Sequence, residues 1–157
     1  MQNHTTESTH HKMASIKTHC AGGEVLNWLV ARAIGTPVAV CKGMVLTPLP
    51  CFTSPVLELG LGYKPFRPVS NWQVGGPIKN QYRISTMLKH SGIWVACIYD
   101  VNDEPTFMTS STDELEAAMR CLVLARLGTG LQVPTELIQQ PSAAVPKCAV
   151  EECEVRS

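Results

Sequence analysis

The segment from Ser111 to Leu127 constrains the fold most, because its apolar residues spread over more than one side of a helix. Ser111-Thr112-Asp113-Glu114 has the spacing of a capping box, which predicts Ser111 as the N-cap, and Gly128 is a stop signal. One apolar stripe at helical spacing consists of Leu115, Ala118, Met119, Leu122 and Val123. Leu124 and Leu127 extend the apolar surface round the cylinder. A helix with such a surface is buried by several neighbours, so the pattern predicts a central helix.

A second helix and several short strands complete the predicted architecture. Residues 22–34 carry an apolar stripe at helical spacing, followed by Gly35 and Pro37 as stop signals. Residues 38–41 and 44–46 flank Lys42-Gly43 as a hairpin, and residues 93–99 form a strand rich in β-formers. We therefore expect an α+β fold. In it a small, mostly antiparallel sheet is packed by two main helices, at 22–34 and 111–127, with a long Pro/Gly-rich loop.

The length of 157 residues predicts one domain, which we place at residues 18–138. Residues 1–17 are predicted to be a disordered N-terminal extension, because the first twelve residues are polar and offer nothing to bury. Met13 is an alternative start, since organised sequence begins after it. Residues 139–157 are predicted to be a flexible C-terminal tail. Between Pro48 and Pro68 the chain makes a long proline-rich excursion, and such loops are rarely kept without a use.

Composition excludes several classes of protein. Thirteen basic and thirteen acidic residues cancel, so nucleic acid is not an expected partner. The sequence has no apolar run of about 18 residues, so no membrane contact is expected. The polar N-terminus lacks the apolar region of a secretory signal, and the seven cysteines include no C-x-x-C pair. These features predict a cytoplasmic protein with reduced thiols. The histidines near the N-terminus have no zinc-like spacing, so neither a metal nor a cofactor is predicted.

The stretch Ser70-Asn71-Trp72-Gln73-Val74-Gly75-Gly76-Pro77-Ile78 is the main candidate for a binding site. Two glycines permit unusual backbone angles and leave peptide N–H groups unshielded, while Pro77 fixes the exit direction. The residues predict a rigid turn beside the Trp72 indole. Such a turn either seats a small ligand or is a connection packed under its own tryptophan.

Three further candidate residues, Trp28, Arg67 and Arg120, can each be interpreted in two ways. Trp28 and Arg32 face together on the first helix, as a surface tryptophan under an arginine stem or as one wall of a pocket. Arg67 ends the aromatic–basic run 63–67, which either stacks on a base and pairs with phosphate or anchors the loop. Arg120 lies on the apolar central helix, where it either pairs with Glu116 or points into a polar cavity.

No catalytic residue is assigned, and the protein is not expected to be an enzyme. The sequence has no nucleophile elbow, P-loop, zinc-protease motif or dinucleotide fingerprint. A nucleophilic pair of Cys97 and His90 has no local signature. Asp100, Asp103 and Glu104 lie in a predicted turn, where solvated carboxylates are expected.

Three motifs carry a resemblance to a known family. They are Leu26-Asn27-Trp28-Leu29-Val30-Ala31, then the stretch 70–78, then Ala117-Ala118-Met119-Arg120-Cys121-Leu122-Val123. In order and spacing they resemble the NinX-like family, small proteins of tailed bacteriophages and prophages, over residues 18–137. The sequence departs from the family pattern at Asn27 and Asn71, where the family has Asp, and at Leu122, where Tyr is frequent.

The resemblance implies a phage origin and action in the cytoplasm of an infected bacterium. Small phage accessory proteins often counter host defence, some by withholding nucleotide signals. By that analogy, the leading hypothesis is a protein that binds a small anionic, nucleotide-derived ligand and sequesters a host immune signal. The residues assigned to the ligand are Trp72, Gly75, Gly76, Pro77, Asn71, Arg120, Arg67 and Trp28.

Two alternatives stay open. The first is a protein–protein interaction module that inhibits a host factor through apolar groups of the excursion, namely Leu57, Leu59, Leu61, Tyr63 and Phe66. The second is a nucleotide hydrolase. The modest core also leaves room for a homodimer.

Overall fold

The computed structural model describes residues 12–48 and 62–139, and in that part of the chain the predicted α+β fold is confirmed. The strands are β1 (Met13–Lys17), β2 (Ala39–Cys41), β3 (Met44–Pro48), β4 (Tyr63–Pro65), β5 (Ser85–Leu88), β6 (Trp94–Tyr99), β7 (Pro105–Ser111) and β8 (Gly130–Pro134). The helices are α1 (Gly23–Ile34), α2 (Trp72–Gln81), α3 (Glu114–Leu127) and α4 (Thr135–Ile138), with a 3-10 turn at Thr18–Cys20.

The strands form three small antiparallel sheets, with the orders β1-β8, β2-β3-β4 and β5-β6-β7. The predicted hairpin is β2-β3, with Cys41 opposite Met44. Lys42 and Gly43 both have positive φ, which suits a two-residue turn. The antiparallel pairing was predicted, but its division among three sheets was not. In the β1-β8 sheet, Met13 pairs with Pro134, a partner that no local pattern can reveal.

Helix α3 is the central element, as its sequence predicted. It packs against β5, β6 and β7 and also against α1 and α2. Its fully buried side chains include Leu115, Met119 and Leu122, and those of α1 include Leu26 and Leu29. The core of the described domain therefore lies where α3 meets α1 and the β5-β6-β7 sheet.

The start of α3 corrects the capping-box prediction. Asp113, not Ser111, is the N-cap, and its carboxylate accepts a hydrogen bond from the Glu116 N–H at 2.9 Å. Ser111 is the last residue of β7, and its hydroxyl donates to the Glu116 carboxylate. Because Asp113 is the cap, the helix starts at Glu114. The Glu114 carboxylate does not complete a capping box, since it accepts hydrogen bonds from Lys79 and Thr86.

Residues at the chain ends and in the excursion behave only partly as predicted. Residues 13–17 were assigned to the disordered extension but form β1, an ordered edge of the domain. Tyr63–Pro65 is strand β4, and the Phe66 N–H donates to the Val45 C=O at 2.9 Å. Phe66 is buried rather than exposed as expected. The predictions for residues 1–11, 49–61 and 140–157 lie outside the described residues.

Candidate functional site

The glycine-rich motif is helical, which corrects the predicted turn. Asn71 is the N-cap of α2, and its side-chain oxygen accepts a bond from the Gln73 N–H at 2.9 Å. The Gly75 N–H donates to the Asn71 C=O at 2.8 Å, so this amide is not presented to a ligand. Pro77 lies inside the helix, and Gly76 is therefore not held extended before it. The cap contributes about 1 kcal/mol, which is less than the cost of two glycines and a proline in a helix, so packing of α2 against the rest of the domain must stabilise the helix as well.

Gly75 is required by a close approach of backbone to backbone. A Cβ at this position would lie 2.1 Å from the Pro68 carbonyl oxygen and 2.9 Å from Leu115 Cδ2. A Cβ on Gly76 would meet only Trp72 Cε3, at the ordinary contact distance of 3.4 Å. The first glycine of the pair therefore lets α2 pack against the preceding loop and α3, whereas the second has no such role.

The loop before α2 is tied to α1 through polar side chains. Asn27 is buried, and its side-chain oxygen accepts from the Val69 N–H at 3.3 Å. Glu24 accepts from the Val45 N–H at 2.9 Å and lies 3.5 Å from the Arg67 guanidinium. Asn27, like the cap Asn71, acts here as a hydrogen-bond acceptor. An amide oxygen therefore accepts these hydrogen bonds at both positions where the resemblance implies an Asp carboxylate.

The predicted aromatic residues lie against cations. The Arg32 guanidinium is 5.0 Å from the Trp28 ring centroid, which confirms that the two side chains face together. Trp72 is 52% exposed, and the Lys79 ammonium lies 5.6 Å from its ring centroid. Lys79 also pairs with Glu114 at 2.6 Å. Neither tryptophan is among the residues that line the cavity at Arg120 described below.

Glu114 joins α2, α3 and β5 in one hydrogen-bonded cluster. Its carboxylate accepts from the Lys79 ammonium and from the Thr86 hydroxyl, each at 2.6 Å. Burial alone would raise the pKa of the Glu114 carboxyl. The two hydrogen bonds and the Lys79 charge together outweigh burial, so the pKa is lowered from its ordinary value.

Arg120 connects three parts of the fold. Its Nε–H donates to the Ala21 C=O at 2.8 Å, and its Nη1 donates to the Ser110 C=O at 3.1 Å. Its Nη2 donates to the Glu116 carboxylate at 2.9 Å, which confirms the predicted pair. These bonds use three of the five N–H groups of a guanidinium, so two remain for a further acceptor.

Arg120 also lines a cavity, but the walls of this cavity are mostly apolar, so the interpretation that Arg120 points into a polar cavity stays a prediction. The cavity has a volume of about 290 Å³ and is bounded by Thr18, His19, Met108, Thr109, Ser110, Arg120, Leu124 and Thr129. Among the eight predicted ligand residues, Arg120 alone is in this lining. The lining residues that were not predicted from the sequence lie in the 3-10 turn, in β7, near the end of α3 and just after it. They are distant along the chain and share no motif.

The arrangement does not favour a Cys–His nucleophile. His90 lies in the turn after β5, and Cys97 is in the middle of β6 opposite Ser85, far along the hairpin from that turn. Cys97 is also buried, whereas His90 is exposed, so the two side chains lie in different environments. Separately, burial raises the pKa of the Cys121 thiol to about 11, so Cys121 is not ionised near neutral pH.

Comparison with known proteins decides the family. A family model described as "Bacteriophage P22, NinX" matches residues 21–126, which is about two thirds of the chain. The chain belongs to the bacteriophage NinX family. A search of curated proteins gives no match. The predicted resemblance is thereby confirmed, and the match covers all three motifs, the helices α1 to α3 and the strands between them.

The structure also gives a shared physical role to the motifs of this NinX-family protein. Asn27 holds the loop before α2, Gly75 packs against that loop, and Arg120 ties α3 to Ala21 and β7.

Within the described ranges, no helix is long and apolar enough to cross a membrane. The same residues contain no cluster of three or more His, Cys, Asp or Glu side chains suited to a metal ion.

Proposed function

We propose that this NinX-family protein binds a small anionic, nucleotide-derived ligand in the cavity at Arg120 and withholds it in the infected bacterium. The observation that carries the proposal is the position of Arg120, which lines the cavity with two N–H groups uncommitted. His19, Ser110 and Thr129 belong to the same lining, whose exposed surface is mostly apolar. A mostly apolar concave site with a few polar groups is typical of small-molecule binding.

Recognition in this cavity depends on directed hydrogen bonds more than on surplus charge. Glu116 offsets the charge of Arg120 at 2.9 Å, and the chain as a whole has a net charge of zero. An anionic group that accepts two guanidinium N–H bonds still gains charge-assisted hydrogen bonds. The volume of about 290 Å³ is at the lower end of ligand pockets. We therefore expect a small ligand of mononucleotide size, or one part of a larger signal.

Isothermal titration calorimetry against a panel of cyclic nucleotides, mononucleotides and ADP-ribose derivatives tests the proposal. At least one compound is expected to bind, and His19→Ala is expected to weaken its binding about tenfold by removing one polar contact. His90→Ala is the matched control, because His90 is exposed and lies outside the cavity. Folded protein that binds no compound in the panel, or equal effects of the two histidine variants, would overturn the proposal.

Chromatography of the bound compound separates withholding from hydrolysis. After incubation and heat denaturation, a sequestering protein returns the ligand unchanged. A cleaved product in the supernatant, absent from a buffer control, would instead identify a nucleotide hydrolase.

A protein interaction module remains the second candidate. Phe66, one of the groups expected to be exposed for this purpose, is buried. The observation that now favours it is the exposure of Met87, Tyr99 and Met108 on the β5-β6-β7 sheet, at 53%, 46% and 57%. If this surface holds a host protein, Met87→Glu should abolish its capture from lysate. Unchanged capture would exclude the surface.

A further inference from the structure

The open edge of β7 faces the cavity with its backbone groups. The Lys89 N–H donates to the Ile93 C=O, and the register from there is unbroken, so Val95 and Cys97 bond toward β5 and the even-numbered residues of β6 bond toward β7. In the register of that ladder, Ala96 is opposite Thr109 and Trp94 is opposite Ser111. Thr109 and Ser111 therefore pair with β6, and the backbone N–H and C=O of the alternate residues point to the other side.

Those alternate residues are Met108 and Ser110, and both line the cavity. The bond from Arg120 to the Ser110 C=O agrees with this orientation, because it reaches the strand from the open side. As far as residues 12–48 and 62–139 are concerned, the Met108 N–H, the Met108 C=O and the Ser110 N–H remain unpaired. Main-chain donors and acceptors left open on an edge strand are ready to pair with a partner that offers the complementary groups.

We infer that this edge recognises the base of a nucleotide, while Arg120 and His19 hold its phosphate. The inference rests on the proposed function and names its ligand class. A nucleobase edge combines donors and acceptors, as adenine does with its amino group and ring nitrogens. Such an edge pairs with the open main-chain groups of β7, which are the N–H and C=O of Met108 and the N–H of Ser110. Leu124 provides apolar surface in the same cavity.

The geometry favours a base over an extended peptide. Peptides that add to a sheet edge form a run of main-chain hydrogen bonds along the strand. Here Arg120 already occupies the Ser110 C=O, and within the cavity lining the remaining open groups of β7 are those of Met108 and the Ser110 N–H. The open groups in the cavity therefore span about one residue pair, which suits a single planar group.

Calorimetry with AMP, GMP, ribose 5-phosphate and inorganic phosphate tests the inference. A nucleotide should bind at least about tenfold more tightly than ribose 5-phosphate, because the sugar phosphate lacks the base. Equal affinities would overturn base recognition while leaving anion binding intact. Binding of none of the four would overturn this inference, whereas the proposed function fails only if no compound of the wider panel binds.

Met108→Pro provides the matched structural test. Proline removes the N–H that points to the open edge, and it is tolerated on edge strands because the ladder to β6 does not use that group. The variant should lose the preference for the nucleotide over ribose 5-phosphate, whereas Met108→Ala, which keeps the N–H, should retain it. A retained preference in folded Met108→Pro would contradict the role of the β7 edge. If that variant does not fold, the comparison of AMP or GMP with ribose 5-phosphate decides.

Discussion

Replacing each glycine of the Gly75-Gly76 pair with alanine separates a packed helix from a ligand-binding turn. A Cβ on Gly75 would lie 2.1 Å from the Pro68 carbonyl oxygen, which is more than an ångström inside ordinary contact. Pro68 is fully buried and Val69 is bonded to Asn27, so the loop cannot yield cheaply. Forcing a methyl group into such a site costs about 3 kcal/mol. The better helix propensity of alanine returns about 1 kcal/mol.

Gly75→Ala is therefore expected to lower the free energy of unfolding by about 2 kcal/mol. Beyond its chain neighbours, a Cβ on Gly76 meets only Trp72 Cε3, at 3.4 Å. The gain in helix propensity is opposed by the restriction that Pro77 places on a preceding Cβ, so Gly76→Ala should change the free energy of unfolding by less than about 1 kcal/mol. Urea denaturation of both variants, with an unchanged m-value, gives the difference directly. If Gly75→Ala is as stable as Gly76→Ala, the helical packing of this motif is wrong.

Three further predictions concern the cap, the Glu114 cluster and the cysteines. Asn71→Ala should lower the free energy of unfolding, measured by urea denaturation, by about 1 kcal/mol because the α2 cap is lost, and Asn71→Asp should lower it much less. Equal losses for the two variants would contradict the role of Asn71 as the cap. The pKa of Glu114 is lowered below its ordinary value of 4.5, so its contribution to stability is present above that pH and lost as the pH falls through the folded-state pKa. The stability difference between wild type and Glu114→Gln should thus shrink on acidification, and a constant difference would argue against the Lys79 pairing. Iodoacetamide at mildly alkaline pH, read by peptide mass, should label exposed Cys41 well before Cys121, whose pKa is about 11; equal rates would contradict the burial of Cys121.

The elements with strong local signals were predictable from the sequence. Helix α1 is encoded by the apolar stripe of residues 22–34, and α3 by the apolar surface of residues 114–127, which covers more than one side of the helix. Both were predictable because helical periodicity is a local property of the sequence. Residues 93–99 likewise encode β6. The pairing of Arg120 with Glu116 follows from their spacing of four residues on one helix.

The helical state of the Gly-Gly-Pro motif was not predictable, because tertiary packing decides it. Glycine and proline usually end helices, but here Gly75 is the residue that lets α2 approach Pro68 and Leu115. The same limit applies to β1, which is held by a partner strand over a hundred residues away. Local sequence carries no information about either contact.

The candidate cavity was predictable in one residue only. Arg120 was conspicuous as a charge on an apolar helix. His19, Thr129 and the β7 residues become part of the site through the meeting of three separate segments. The sequence feature that best indicated the cavity was therefore a charged residue on an apolar helix rather than a motif.

A two-dimensional ¹H–¹⁵N NMR titration with the tightest-binding compound of the panel distinguishes the cavity from the α2 motif as the binding site. If the ligand binds in the cavity, the amide signals of Met108 and Ser110 and the Arg120 Nε–H signal shift with one common dissociation constant, while the Trp72 indole signal stays in place. Shifts confined to Trp72 and the amides of α2 would contradict the cavity as the binding site.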